Sequence, residues 1–175
     1  MNLNIRLFFK INSLSGKSRF WDAFGRAGAE WAIIAIIGWY AASSFVANLP
    51  NWRGAFWPLL FFGASWLLAW LISIGIGLIV REPRPHITYP ESKLLFIPTM
   101  SWKSFPSDHA MTSWLALFTA LNLGLPAAWA LLPLTVWVIW GRVYAGMHYP
   151  FDIVGGTALA GLIGVLQHLV LVRWF

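Results

Sequence analysis

Six consecutive residues, Ser104-Phe105-Pro106-Ser107-Asp108-His109, set hydroxyls, a carboxylate and an imidazole immediately ahead of a long apolar run. Two more polar segments frame them. Arg81-Glu82-Pro83-Arg84-Pro85 lies upstream, and Arg142-Val143-Tyr144-Ala145-Gly146-Met147-His148-Tyr149-Pro150-Phe151-Asp152 lies downstream. Ser107 follows a proline and precedes a helix, so an ordinary N-cap accounts for it when it is taken alone. The free N–H groups and positive dipole end of that helix also favour an anion, and Arg84 and Arg142 carry planar forks that grip phosphate or carboxylate oxygens. At this level the chemistry says only that an anion binds.

His148 and Asp152 are four apart with Pro150 between them. Proline is favoured in the first turn of a helix, which leaves His148 in the loop before the helix and Asp152 in its first turn. There the carboxylate can accept from one ring nitrogen, fix the tautomer and leave the other nitrogen free to attack. A lone interfacial histidine is ordinarily a solvated loop residue. Pairing with Asp152 and opposition by His109 favour catalysis instead. Two histidines, two or three arginines, a serine and an aspartate together suit phosphoryl transfer: a nucleophile, an acid for the leaving oxygen and fixed positive charge. His109, His148 and Asp152 would also make a three-ligand metal set, but arginines crowding the same place repel a divalent ion. Neither a metal nor another cofactor is expected.

The elements that must position these groups are membrane helices. Of 175 residues, 59% are hydrophobic and 10% charged, less than half the roughly 25% charged fraction usual in soluble domains. The absence of linker-like composition predicts one domain over residues 1–175. A net charge of +6 comes from cations scattered beside apolar spans, which points to anionic lipid head groups and away from nucleic acid. With no cysteine, disulfides and thiol chemistry are excluded.

An all-α, multi-pass bundle follows from the pattern. Met1 to Asp22 is too polar to span and predicts an amphipathic surface helix with a Ser/Gly turn over residues 13–17. Apolar runs then predict five crossings, over about 27–47, 55–80, 107–123, 127–145 and 151–172. Counting spans puts all three polar segments on one face. Gly155, Gly156, Gly161 and Gly164 in the last run permit close packing within one chain or in a homodimer. Ten Lys and Arg fall on the site's side of the membrane and two on the other, which by charge alone would place the site in the cytoplasm.

The three segments resemble the signatures of the type-2 phosphatidic acid phosphatase superfamily, which are Lys-x6-Arg-Pro, Pro-Ser-Gly-His and Ser-Arg-x5-His-x3-Asp. The matching residues are Arg84-Pro85, Pro106-Ser107-Asp108-His109, and Gly141-Arg142 followed by His148 and Asp152 at the family spacing. The resemblance implies a helical membrane lipid phosphatase needing no metal. It further implies His148 as the nucleophile, Asp152 as its orienting partner and His109 as proton donor, with Arg84, Arg142 and Ser107 holding the phosphoryl group. Three positions depart from the signatures. Gly77 stands where the lysine belongs, with Arg81 one turn later as the candidate replacement. Asp108 stands for glycine, adding a carboxylate to the phosphate-binding set, and Gly141 stands for serine. Glu82-Pro83-Arg84-Pro85 and the Phe-Pro-Ser-Asp-His wording resemble the bacitracin-resistance-type undecaprenyl-diphosphate phosphatases. That implies a lipid diphosphate substrate and an outward-facing site in a bacterial plasma membrane. Competing readings are a phosphatidic acid or phosphatidylglycerol-phosphate phosphatase and a non-enzymatic lipid-binding or transport protein. A haloperoxidase is disfavoured by the membrane composition. Lys93 and Lys103 are candidates to touch a second phosphate, although solvated loop positions are the default for them and for Glu82, His86 and Glu91.

Overall fold

The computed structural model describes residues 2–98 and 101–174. Met1, at the head of the expected surface helix, and Thr99 and Met100, inside the polar interval, lie outside them. The described residues form eight α-helices and no strand. These are α1 Leu3–Asn12, α2 Arg19–Glu30, α3 Ala32–Ala47, α4 Phe56–Val80, α5 Pro85–Thr88, α6 Asp108–Asn122, α7 Leu131–Tyr144 and α8 Pro150–Trp174. Two 3-10 turns, Trp52–Ala55 and Ala128–Ala130, lead into α4 and α7.

The N-terminal segment is two helices where one surface helix was expected. Asn2 caps α1, its side chain accepting from Ile5 N at 3.0 Å, and α1 ends at Asn12. The Ser/Gly turn falls where the sequence places it, but Arg19 to Asp22 already belong to α2. The first expected crossing is likewise not one rod: α2 and α3 meet at Trp31 with a bend of 50°. No proline or glycine sits at Glu30-Trp31-Ala32, so nothing local announces the break; its cause is tertiary. Gly25 and Gly28 let α2 lie directly on α7, where added Cβ atoms would meet the Tyr144 and Trp137 rings.

By length and hydropathy two helical stretches, Trp52–Thr88 and Pro150–Arg173, could cross a membrane. The bent pair α2–α3 makes a third if it counts as one span. The helix α4, at 25 residues, is about 37 Å long and exceeds a hydrocarbon core of about 30 Å. At 15 and 14 residues, α6 and α7 are shorter than the runs read from the sequence. Most of α6 is covered by α8, α7, α3 and α4. Its hydroxyls are satisfied inside the bundle, for example Thr119 Oγ1 on Leu115 O at 2.7 Å and Gln167 Nε2 on Thr119 Oγ1 at 2.9 Å. The outward sides of α4 and α8 expose Leu60, Leu67, Leu71, Leu162, Val165 and Leu169, as lipid-facing surfaces do.

The α4 chain is stopped by Arg81 in the left-handed region (φ 52). Two prolines follow, which hold Arg84 extended (φ −67, ψ 154). The starts of α6 and α8 are tied by Ser107 N donating to Asp152 O at 3.0 Å. Beneath both, α1 docks through buried Phe8 against Tyr149. Asn12 Nδ2 donates to Lys93 O at 2.8 Å and Tyr144 O at 3.0 Å. Thus the three polar segments converge at one end of the bundle.

Candidate active site

A cavity of about 750 Å³ opens at that end. Glu30, Arg84, Asp108, His109, Thr112, Arg142 and His148 form its polar wall, and Ile33, Ile37, Phe62, Trp66 and Trp70 line its apolar part. The loop before Pro150 delivers His148, and the first turn of α8 delivers Asp152 underneath it, as the spacing predicted.

The imidazole of His148 is 3% exposed and lies between two charged groups. Its Nδ1 is 3.4 Å from Asp152 Oδ2, an ion-pair distance without hydrogen-bond alignment. Its Nε2 is 3.4 Å from Arg142 Nη2. A guanidinium can only donate, so Nε2 is the lone-pair nitrogen in that contact and Nδ1 carries the hydrogen toward the carboxylate. Burial, followed by the charges of Arg142 and Arg84, holds the His148 pKa well below the usual histidine range. The ring is therefore neutral at pH 7 and its Nε2 lone pair is available. Asp152 is fully buried, and its Oδ2 also accepts from Ser104 Oγ at 2.6 Å and Tyr149 N at 2.8 Å.

Main-chain carbonyls hold both guanidinium groups from behind. Arg84 Nε donates to Lys103 O at 3.1 Å and its Nη1 to Met147 O at 3.3 Å. Arg142 Nη1 donates to Ala29 O at 3.1 Å, an acceptor at the C-terminal end of α2 where carbonyls lack helical partners. The structure explains Gly141 through the same contact. A Cβ there would stand 2.6 Å from Ala29 N and 2.8 Å from Gly25 O, so the serine of the signature would push α2 away from α7. Gly141→Ser is expected to lower stability by about 1–3 kcal/mol, the usual cost of overpacking, and to reduce activity as Arg142 loses its anchor. Thermal unfolding in detergent beside an activity assay checks both effects, and an unchanged melting temperature would contradict this packing account.

Not every expected residue reaches the cavity wall. Ser107 is fully buried, and its Oγ accepts from Ala110 N at 3.4 Å as the cap of α6. Arg81 is exposed, its Nε donates to Leu78 O at 2.9 Å, and it is not part of the lining. The αL turn at its own Cα carries it outward, so the candidate replacement for the signature lysine is not brought to the site. Lys103 stands nearer instead. It is 5% exposed, and a Cβ on Gly77 would meet its Cδ at 2.5 Å. The side chain thus crosses the space above Gly77. Lys93 is engaged elsewhere, its Nζ donating to Ser15 O at 2.5 Å. Sequence reasoning gave Ser104 no role and left Lys103 as a loop residue by default, with contact to a second phosphate as its alternative. The one available signal for Lys103 was the glycine at 77, which required the cation to come from another segment.

Two imidazoles and two guanidinium groups at the polar end of an otherwise apolar cavity, with a buried aspartate beneath, are groups suited to binding and cleaving a lipid phosphate. The chain belongs to the PAP2 superfamily, whose model matches residues 58–175. It is 27% identical over 164 residues to the undecaprenyl-diphosphatase BcrC of Bacillus subtilis (strain 168), covering 94% of this chain and 82% of that one. It is 33% identical over 144 residues to the decaprenylphosphoryl-5-phosphoribose phosphatase of Mycobacterium tuberculosis (strain ATCC 25618 / H37Rv), covering 82% and 72%. The crystal structure of LpxE from Aquifex aeolicus shares the fold, with a TM-score of 0.71, 21% identity and 95% of each chain covered.

Proposed function

We propose that this protein removes the terminal phosphate of undecaprenyl, or another polyprenyl, diphosphate through a phosphohistidine on His148. The observation that carries the reading is the His148 ring set between Asp152 and Arg142 on a cavity whose other half is apolar. Nε2 attacks the terminal phosphorus and the bond to the bridging oxygen breaks. His109, which gains a proton once the anionic diphosphate sits beside it, gives that proton to the leaving oxygen, and the monophosphate lipid departs. Water then attacks the phosphohistidine, His109 takes a water proton, and inorganic phosphate leaves with His148 restored. Arg84 and Arg142 hold the equatorial oxygens throughout.

The diphosphate choice is supported by the likeness to BcrC and by the wording of residues 82–85 and 105–109. In this reading α6 and α7, flanked by longer helices, complete five crossings and the site faces outward. The count of ten cations on the site's side is discounted because Arg84, Arg142, Lys93 and Lys103 are engaged inside the protein. The relative named for decaprenylphosphoryl-5-phosphoribose supports a second reading, a polyprenyl-linked sugar phosphate as substrate.

Purified protein is expected to release phosphate from farnesyl or undecaprenyl diphosphate at least about tenfold faster than from phosphatidic acid, a gap of about 1.4 kcal/mol in transition-state binding. Turnover should persist in a chelator. Faster release from phosphatidic acid would overturn the diphosphate assignment, and activity restored only by a divalent ion would overturn the metal-free mechanism. The same assay on right-side-out vesicles, with substrate added outside, tests the facing of the site.

A further inference from the structure

Two of the departures from the family signatures, Gly77 and Asp108, meet at a single polar cluster at the edge of the cavity. Lys103 passes over Gly77. Its Nζ donates to Asp108 Oδ1 at 2.8 Å, Ser73 Oγ at 2.7 Å and Pro106 O at 3.1 Å. Ser73 in turn donates to the same Asp108 oxygen at 2.6 Å. All three ammonium hydrogens are used within the protein, and none is left over for a ligand. Asp108 is on the cavity wall, whereas Lys103 is not.

A carboxylate on the wall of an anion-binding cavity is an electrostatic liability. It repels phosphate, and it lies within electrostatic reach of both Arg84 and Arg142. Left unheld, it would settle on a guanidinium and compete with phosphate for the fork. We propose that Lys103 is a positioning residue that neutralises Asp108 and keeps its carboxylate off the two arginines, leaving them free for the phosphoryl group. Ser73 is the second tether on Asp108. The Lys103 carbonyl, as acceptor for Arg84 Nε, fixes the first arginine from the same residue. The cation absent at Gly77 is thus present in space, and its work is to hold an acid that the signature glycine would not have introduced.

This inference rests on the cavity accepting phosphate, and it is tested without turnover. Inorganic phosphate is titrated calorimetrically into the purified full chain in detergent, as wild type, Lys103→Met, Asp108→Asn and the double variant. Lys103→Met is expected to weaken phosphate binding about tenfold in the wild-type background, and less than about twofold when Asp108→Asn is already present. In turnover the single variant should raise KM for farnesyl diphosphate more than it lowers kcat. A tenfold loss in both backgrounds would overturn the proposal, because Lys103 would then act on phosphate directly or support the fold alone. A fall in kcat and unfolding temperature together in both backgrounds would overturn it as well. Should Lys103→Met alone fail to insert, Asp108→Asn against the double variant decides: equal binding supports the proposal and a tenfold gap sinks it. Wild type that neither binds phosphate nor hydrolyses farnesyl diphosphate would instead remove the phosphatase reading itself.

Discussion

His148→Ala is expected to lower phosphate release by roughly a thousandfold or more, since it removes the atom that would bond to phosphorus and no other side chain stands in its place. The ring touches its neighbours at 3.4 Å on each side without an aligned bond to Asp152, so its loss takes away little of what ties α8 to α6. Insertion and folding should survive, because Ser107 N on Asp152 O and Tyr149 N on Asp152 Oδ2 remain. The measurement is single-turnover phosphate release together with trapping of the acid-labile phosphoenzyme. Turnover within a few-fold of wild type, or a phosphoenzyme that persists in the variant, would remove His148 as nucleophile.

The next largest effect is expected from Asp152→Asn, at about a hundredfold to a thousandfold in kcat. Asparagine has nearly the same shape and its amide oxygen can still accept from Ser104 Oγ and Tyr149 N, so the local frame is retained. What it lacks is charge. As Nε2 bonds to phosphorus the ring becomes cationic, and a buried carboxylate 3.4 Å from Nδ1 stabilises that cation where water cannot. Arg142 on the opposite edge makes this compensation more necessary. The variant should therefore lose kcat with little change in KM. A rise in KM at constant kcat would mean that Asp152 serves substrate binding instead.

The helices α4 and α8 were legible because each is a long uninterrupted apolar run, and the convergence of the polar segments followed from counting such runs. His148 and Asp152 were legible because their relation is local, with Pro150 fixing where the helix begins. The break at Trp31 was not, because it goes with packing of α2 on α7 through Gly25 and Gly28 on one helix and Gly141 on the other, far away in sequence. Gly141 could be noticed as a departure, but its cause lies far upstream at Ala29. Lys103 was hidden for the same reason. Its partners Ser73 and Asp108 belong to helices on either side of the loop that carries it, and only the folded chain shows that the space above Gly77 is where its side chain passes.

Arg142 is anchored to α2 by the peptide oxygen of residue 29 and not by a side chain of that helix, and that choice shapes how heredity can act on the site. Exchanging the methyl of Ala29 for hydrogen leaves the oxygen in place, so a scan of single replacements would judge the position dispensable. Adding or deleting one residue between 19 and 29 turns that oxygen about 100° around the helix axis and detaches the arginine. Changes in length, rather than changes in letter, are what this part of the chain cannot absorb.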